Sequence, residues 1–138
     1  MIDLENDIFT YVANRIRAEY PDTFIAGEYI EVPASFPAVT IVEADNSIVE
    51  YMRSDHIENA VRVMYDCAVY SNKISGKKAE AKAIADAMDR AFESAGFTRT
   101  FRDQVANMRD ATIYRLVIRY EGIIGLPGAD GKYLIYFN

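Results

Sequence analysis

The chain has 138 residues, 51% hydrophobic and 26% charged, which suits one folded domain with its own core and excludes a disordered body. Its one cysteine, Cys67, excludes an internal disulfide, and its one histidine, His56, excludes the usual Cys- and His-rich zinc sites. A formal charge of −6 gives no overall attraction to nucleic acid or to an anionic membrane.

The start, Met1-Ile2-Asp3-Leu4-Glu5-Asn6-Asp7, is acidic and lacks the basic and apolar parts of a signal peptide. No apolar run reaches the roughly 20 residues of a membrane span, so the chain is expected in the cytoplasm. Leu4, Ile8, Val12 and Ile16 recur every fourth residue, with Phe9 and Ala13 beside them, and predict an amphipathic helix over 3–19 that Tyr20-Pro21 stops. Two short strands are expected around 24–32 and 38–45, with Pro33 and Pro37 bracketing the turn between them. Residues 45–58 read as a loop or an irregular edge.

The clearest strand signal follows. Val61, Val63, Tyr65, Cys67 and Val69 alternate with Arg62, Met64, Asp66, Ala68 and Tyr70, which predicts one buried face and one partly wet face. Cys67 falls on the buried face and reads as a small hydrophobe rather than a nucleophile. A second helix is expected over 77–95, with Ser75 as N-cap, a stripe of Ile84, Met88 and Phe92 flanked by alanines, and Gly96 just past its end. Strands return at 97–102 and from Thr112 to Glu121, where Tyr114, Leu116, Ile118 and Tyr120 face inward and Arg115, Val117, Arg119 and Glu121 outward. Arg62, Asp66, Arg115 and Arg119 should therefore share a wet outer sheet face. Residues 125–131 hold three glycines and a proline and read as a loop, followed by a strand-like segment, Tyr133-Leu134-Ile135-Tyr136-Phe137. That segment should cap its own sheet or add to a neighbour. The order is α-β-β-β-α-β-β-β, a single α+β domain over 1–138 with both helices on one face of a mostly antiparallel sheet.

No catalytic, metal or cofactor constellation stands out. His56 sits in the polar stretch Ser54-Asp55-His56-Ile57-Glu58 and reads as a solvated loop residue. No GxGxxG or P-loop occurs, and Asp86, Asp89 and Glu93 read as the solvated outer face of the second helix. Lys73, Lys77 and Lys78 crowd the start of that helix, where cations oppose the dipole, so they are candidates for contact with an acidic partner or a phosphate. Charge is also unevenly spread. Residues 1–60 hold twelve acids and three bases, and residues 61–138 twelve bases and nine acids, a pattern suited to head-to-tail contact between copies. Ten tyrosines and seven phenylalanines supply amphipathic area for packing or interfaces.

The block Val63-Met64-Tyr65-Asp66-Cys67-Ala68-Val69-Tyr70-Ser71-Asn72-Lys73, then Gly76-Lys77-Lys78-Ala79-Glu80-Ala81, resembles the tail-terminator (tail-completion) proteins of long-tailed bacteriophages and prophages, often labelled minor capsid or head–tail connector proteins. The similarity continues through Ala95 to Thr100, Val105 to Arg115 and Arg119 to Ile124. It implies an α+β fold and a ring of six copies that caps the tail tube, ends its growth and joins the head-completion (connector) protein. DNA would pass through the lumen without specific recognition, and no membrane or cofactor would be involved. Assembly would take place in the bacterial cytoplasm, and the protein would end at the tail–head junction of the virion. Candidate interface residues are Lys73, Lys77, Lys78, Arg99, Arg102, Arg109, Tyr133, Leu134, Ile135, Tyr136 and Phe137. A head-completion or neck protein is the alternative within the assembly class. A small nucleic-acid-binding module using the three lysines with Arg99, Arg102 and Arg109 is the alternative outside it.

Overall fold

A computed structural model describes residues 2–49, 60–107, 109–127 and 133–136. The four-residue apolar spacing at the start becomes helix α1 (Glu5–Glu19), which buries Ile8, Val12, Ala13 and Ile16 on one face. Strands β1 (Phe24–Ala26), β2 (Ala38–Ile48) and β3 (Ala60–Ser71) follow, then helix α2 (Lys77–Ser94) and strands β4 (Thr98–Gln104), β5 (Tyr114–Pro127) and β6 (Tyr133–Tyr136). The α+β class and the element order are those expected. One sheet runs β1-β2-β3-β5-β4, with β6 also paired to β5. Among the described residues, neither helix is long and apolar enough to cross a membrane.

The core lies between the sheet and the two helices. Alternation in the strands places Val61, Val63, Tyr65, Cys67 and Val69 of β3, and Tyr114, Leu116, Ile118 and Tyr120 of β5, against Ile84, Met88 and Phe92 of α2. Burial pushes the Cys67 thiol well above the ordinary thiol range, as expected of a packed hydrophobe. At the core centre Phe92 stacks on Tyr120 with ring centroids 4.1 Å apart, and Phe97 meets Phe92 and Tyr65 edge-on at 5.5 and 5.7 Å. Phe97 is held there by the end of α2. Gly96 adopts φ 93°, Phe97 N–H donates to the Phe92 carbonyl at 2.9 Å, and Gly96 N–H donates to Glu93 at 3.0 Å.

Several local expectations need correction. The first two strands are parallel, with Phe24 opposite Ala38, and no hairpin joins them. Residues 27–37 instead form a long connection that lies over the outer sheet face. There Tyr70 donates to the Ile30 carbonyl at 2.8 Å, and Ala38, Ala68, Tyr70 and Ile113 form a second buried cluster with Phe24 and Phe36. Tyr70 is therefore fully buried although it points away from the main core. β2 continues past residue 45 to Ile48, with a bulge at Ala44. Gly76, with φ 89°, and not Ser75, precedes α2, because only glycine enters that left-handed turn without a Cβ penalty. Thr112 lies in an exposed turn where it donates to Asp110, and does not begin the strand. Gly125, Leu126 and Pro127 belong to β5, since Pro127 sits opposite Tyr133 of β6. His56 and the rest of 50–59 lie outside the described residues, as does Phe137.

Candidate interface surfaces

The outer sheet face is wet in its middle, in the expected register. Arg62 and Arg119 are exposed, while Asp66 and Arg115 are half-buried. Arg119 Nε donates to Asp66 Oδ1 at 2.8 Å across the β3–β5 pair, and Arg115 lies 5.8 Å from the Tyr70 ring centroid. Tyr29, from the covering connection, is 70% exposed.

The basic candidates are placed differently from one another. Lys77 is not free for a partner: its Nζ donates to the Thr112 carbonyl at 3.1 Å and ties the start of α2 to the turn before β5. Lys73 and Lys78 remain exposed, beside a fully exposed Ile74. Arg109 pairs with Glu31 at 2.8 Å, and Asn107 donates to the Glu31 carbonyl at 2.7 Å, so this loop is fastened to the 27–37 connection. Arg99 approaches Asp89 at 3.6 Å. Arg102 has no ion-pair partner among the described residues. The arginine series thus does not form one basic face. Asp89 is also not a simple solvated residue; it is half-buried and accepts a hydrogen bond from the buried Tyr120 hydroxyl at 3.1 Å. With Thr98 and Arg99 it lines a shallow hollow of about 260 Å³.

β4 is an edge strand, and all seven of its residues are exposed. Phe101, on the outer side opposite Arg119, is 45% exposed. Arg99 and Arg102, opposite Tyr120 and Ile118, face the helix side. β6 lies along the same edge of β5 further on, with Ile124 opposite Ile135 and Ile123 opposite Tyr136. Tyr133 to Tyr136 therefore extend their own sheet.

The other edge is acidic. β1 covers only Ala38–Thr40 of β2. Beyond it Asp3, Glu5 and Glu43 bring carboxylate oxygens within 4.8 Å of one another, with no ion-pair partner among the described residues. Partial burial, then repulsion from Glu5 and Asp3, pushes the Glu43 carboxyl up to about 7, despite a hydrogen bond from Asn46. The fold therefore favours protonated Glu43. Its cost is absent below the ordinary value of 4.5, grows as pH rises through 7, and is complete above that. Because the group is partly solvated, screening reduces that cost to on the order of 1–2 kcal/mol. Glu43→Gln should raise stability by that amount in urea titrations at pH 8 and leave it unchanged at pH 4; an equal effect at both values would refute the coupling. Sequence reading missed this cluster because Glu43 is far along the chain from Asp3 and Glu5.

No protein-family model matches the chain, and no curated protein matches it significantly.

Proposed function

We propose that this chain is a structural assembly protein of the tail-terminator kind, whose copies form a ring that caps a phage or prophage tail tube and meets the head-completion protein. The observation that carries the reading is the pair of sheet edges. One is a fully exposed strand bearing two arginines, and the other is an open strand beside three clustered carboxylates. Edges of this kind suit repeated head-to-tail contact, which closes into a ring when the rotation allows. The block from Val63 to Ile124, on which the resemblance rests, spans the two central strands, α2 and the exposed edge. The pairing of Arg109 with Glu31 and the tie of Lys77 to the Thr112 carbonyl count against the nucleic-acid module.

The test is light scattering and negative-stain imaging of the purified chain, alone and with polymerising tail tube protein. The expected result is a ring with a mass near a multiple of 15.6 kDa, and tubes that stop growing once capped. A chain that stays at 15.6 kDa in both conditions, with tube length unaffected, overturns the proposal.

A further inference from the structure

The two open edges match in more than charge. β4 has seven residues, and β2 offers the stretch Ile41–Ile48 past the end of β1. Among the described residues, no strand pairs with the outer side of either. Unpaired edge N–H and C=O groups are a template for another strand. Just where β1 stops, the β2 edge opens into a groove of about 380 Å³. Its walls include Phe9, Ile30 and Ile41, and Glu5 and Glu28 stand among its lining residues. A Cβ placed on Gly27 would lie 3.5 Å from the Phe9 ring and 3.8 Å from the Ile41 carbonyl oxygen, so the connection after β1 passes close to the Ile41 end of this edge.

Facing directions also agree. Arg99 and Arg102 point to the helix side of the sheet; Arg99 stands 3.6 Å from Asp89 of its own molecule, a long contact that leaves its side chain 44% exposed. Glu43 belongs to the same alternation as the core residues Val39 and Ile41, which puts it on the helix side too, next to Asp3 and Glu5 of the α1 start. A sheet continued from β4 of one molecule into β2 of the next, helices on the same side, would set arginines against carboxylates. Pairing β4 with a second β4 would instead bring Arg99 and Arg102 near their own copies, a like-charge contact that costs energy. The acidic cluster gains a counter-charge only in the first arrangement.

We propose that a second copy of this chain occupies the β2 edge, its β4 strand adding to Ile41–Ile48, with Arg99 and Arg102 against Asp3, Glu5 and Glu43. The contact is heterologous, so each copy gives one edge and receives another. This rests on the self-assembly reading above and names the surfaces that carry it. Lys77 and Lys78 are not part of it.

Charge exchange tests it. Asp3, Glu5, Arg99 and Arg102 are all exposed, and the reversals give up only two surface contacts, Glu5 N–H to Asp3 and Arg99 to Asp89, so the fold should survive, as circular dichroism and thermal melting would check. Under the condition in which the wild type assembles, Arg99→Glu/Arg102→Glu and Asp3→Lys/Glu5→Lys should each shift the mass to the 15.6 kDa monomer. An equimolar mixture of the two folded variants should recover the wild-type mass, because each reversed edge then meets its reversed complement in alternation. Folded variants that both keep the wild-type mass, or a mixture that stays monomeric, overturn the edge assignment while leaving self-assembly standing. A wild type that never assembles overturns both.

Discussion

Replacing Phe92 with alanine is expected to remove about 3–5 kcal/mol of stability, the range for emptying a fully buried aromatic site. Phe92 has no exposed surface and touches three other rings. It stacks on Tyr120 of β5, meets Phe97 beyond the end of α2, and lies 5.6 Å from Tyr65 of β3. Each element that meets at the core centre therefore loses packing at once. A domain of this size has a total stability of about 5–15 kcal/mol, so the variant would be marginal. Urea denaturation measures the loss directly, with Glu93→Ala, on the exposed side of the same helix, as a control expected within about 0.5 kcal/mol of wild type. A Phe92→Ala loss below 1 kcal/mol would mean that this aromatic cluster does not hold helix to sheet.

The second large effect comes from adding atoms. Gly122 of β5 lies beneath Phe97; a Cβ there would sit 2.6 Å from Phe97 Cδ1 and 2.8 Å from Cε1. Its φ is not in the left-handed region, so the requirement for glycine here is space alone. Phe97 has little room to retreat, since Tyr65 and Phe92 flank it edge-on. Gly122→Ala should therefore destabilise by about 1–3 kcal/mol through overpacking. Trimming the ring should relieve the clash, so Gly122→Ala/Phe97→Leu should lose less than the sum of the two single changes. Strict additivity in that cycle would show that the alanine acts elsewhere.

Both central strands were legible from side-chain alternation alone, because β3 and β5 are long and bury one face continuously. The helices were legible to within two residues at each end for the same reason, with period four in place of period two. What escaped was set by partners distant in sequence. A three-residue β1 is too short to show a period, and two prolines suggested a turn where the chain makes a parallel connection. Tyr70 looked outward and is outward, yet the 27–37 connection covers it. Asp89 reads as solvated and Lys77 as a partner contact from sequence because Tyr120, Arg99 and Thr112, which engage them, come from other elements. The acidic edge was visible only as an excess of charge in the first 60 residues; the fold supplies the place where Asp3, Glu5 and Glu43 meet.

The placement of β3 beside β5 has a consequence during synthesis. All of α2 and β4 must leave the ribosome before β5 exists to pair with β3. At roughly 5–20 residues per second, β3 waits for a few seconds with one side unpaired. It is an apolar strand, and Arg62 and Asp66 are its only charged residues. During that interval β2 can hold its other side, while α1 and then α2 can cover its inner face. Nascent copies on neighbouring ribosomes have the same open strand at the same moment. Arg62 and Asp66 keep the outer face of that waiting strand from being wholly apolar.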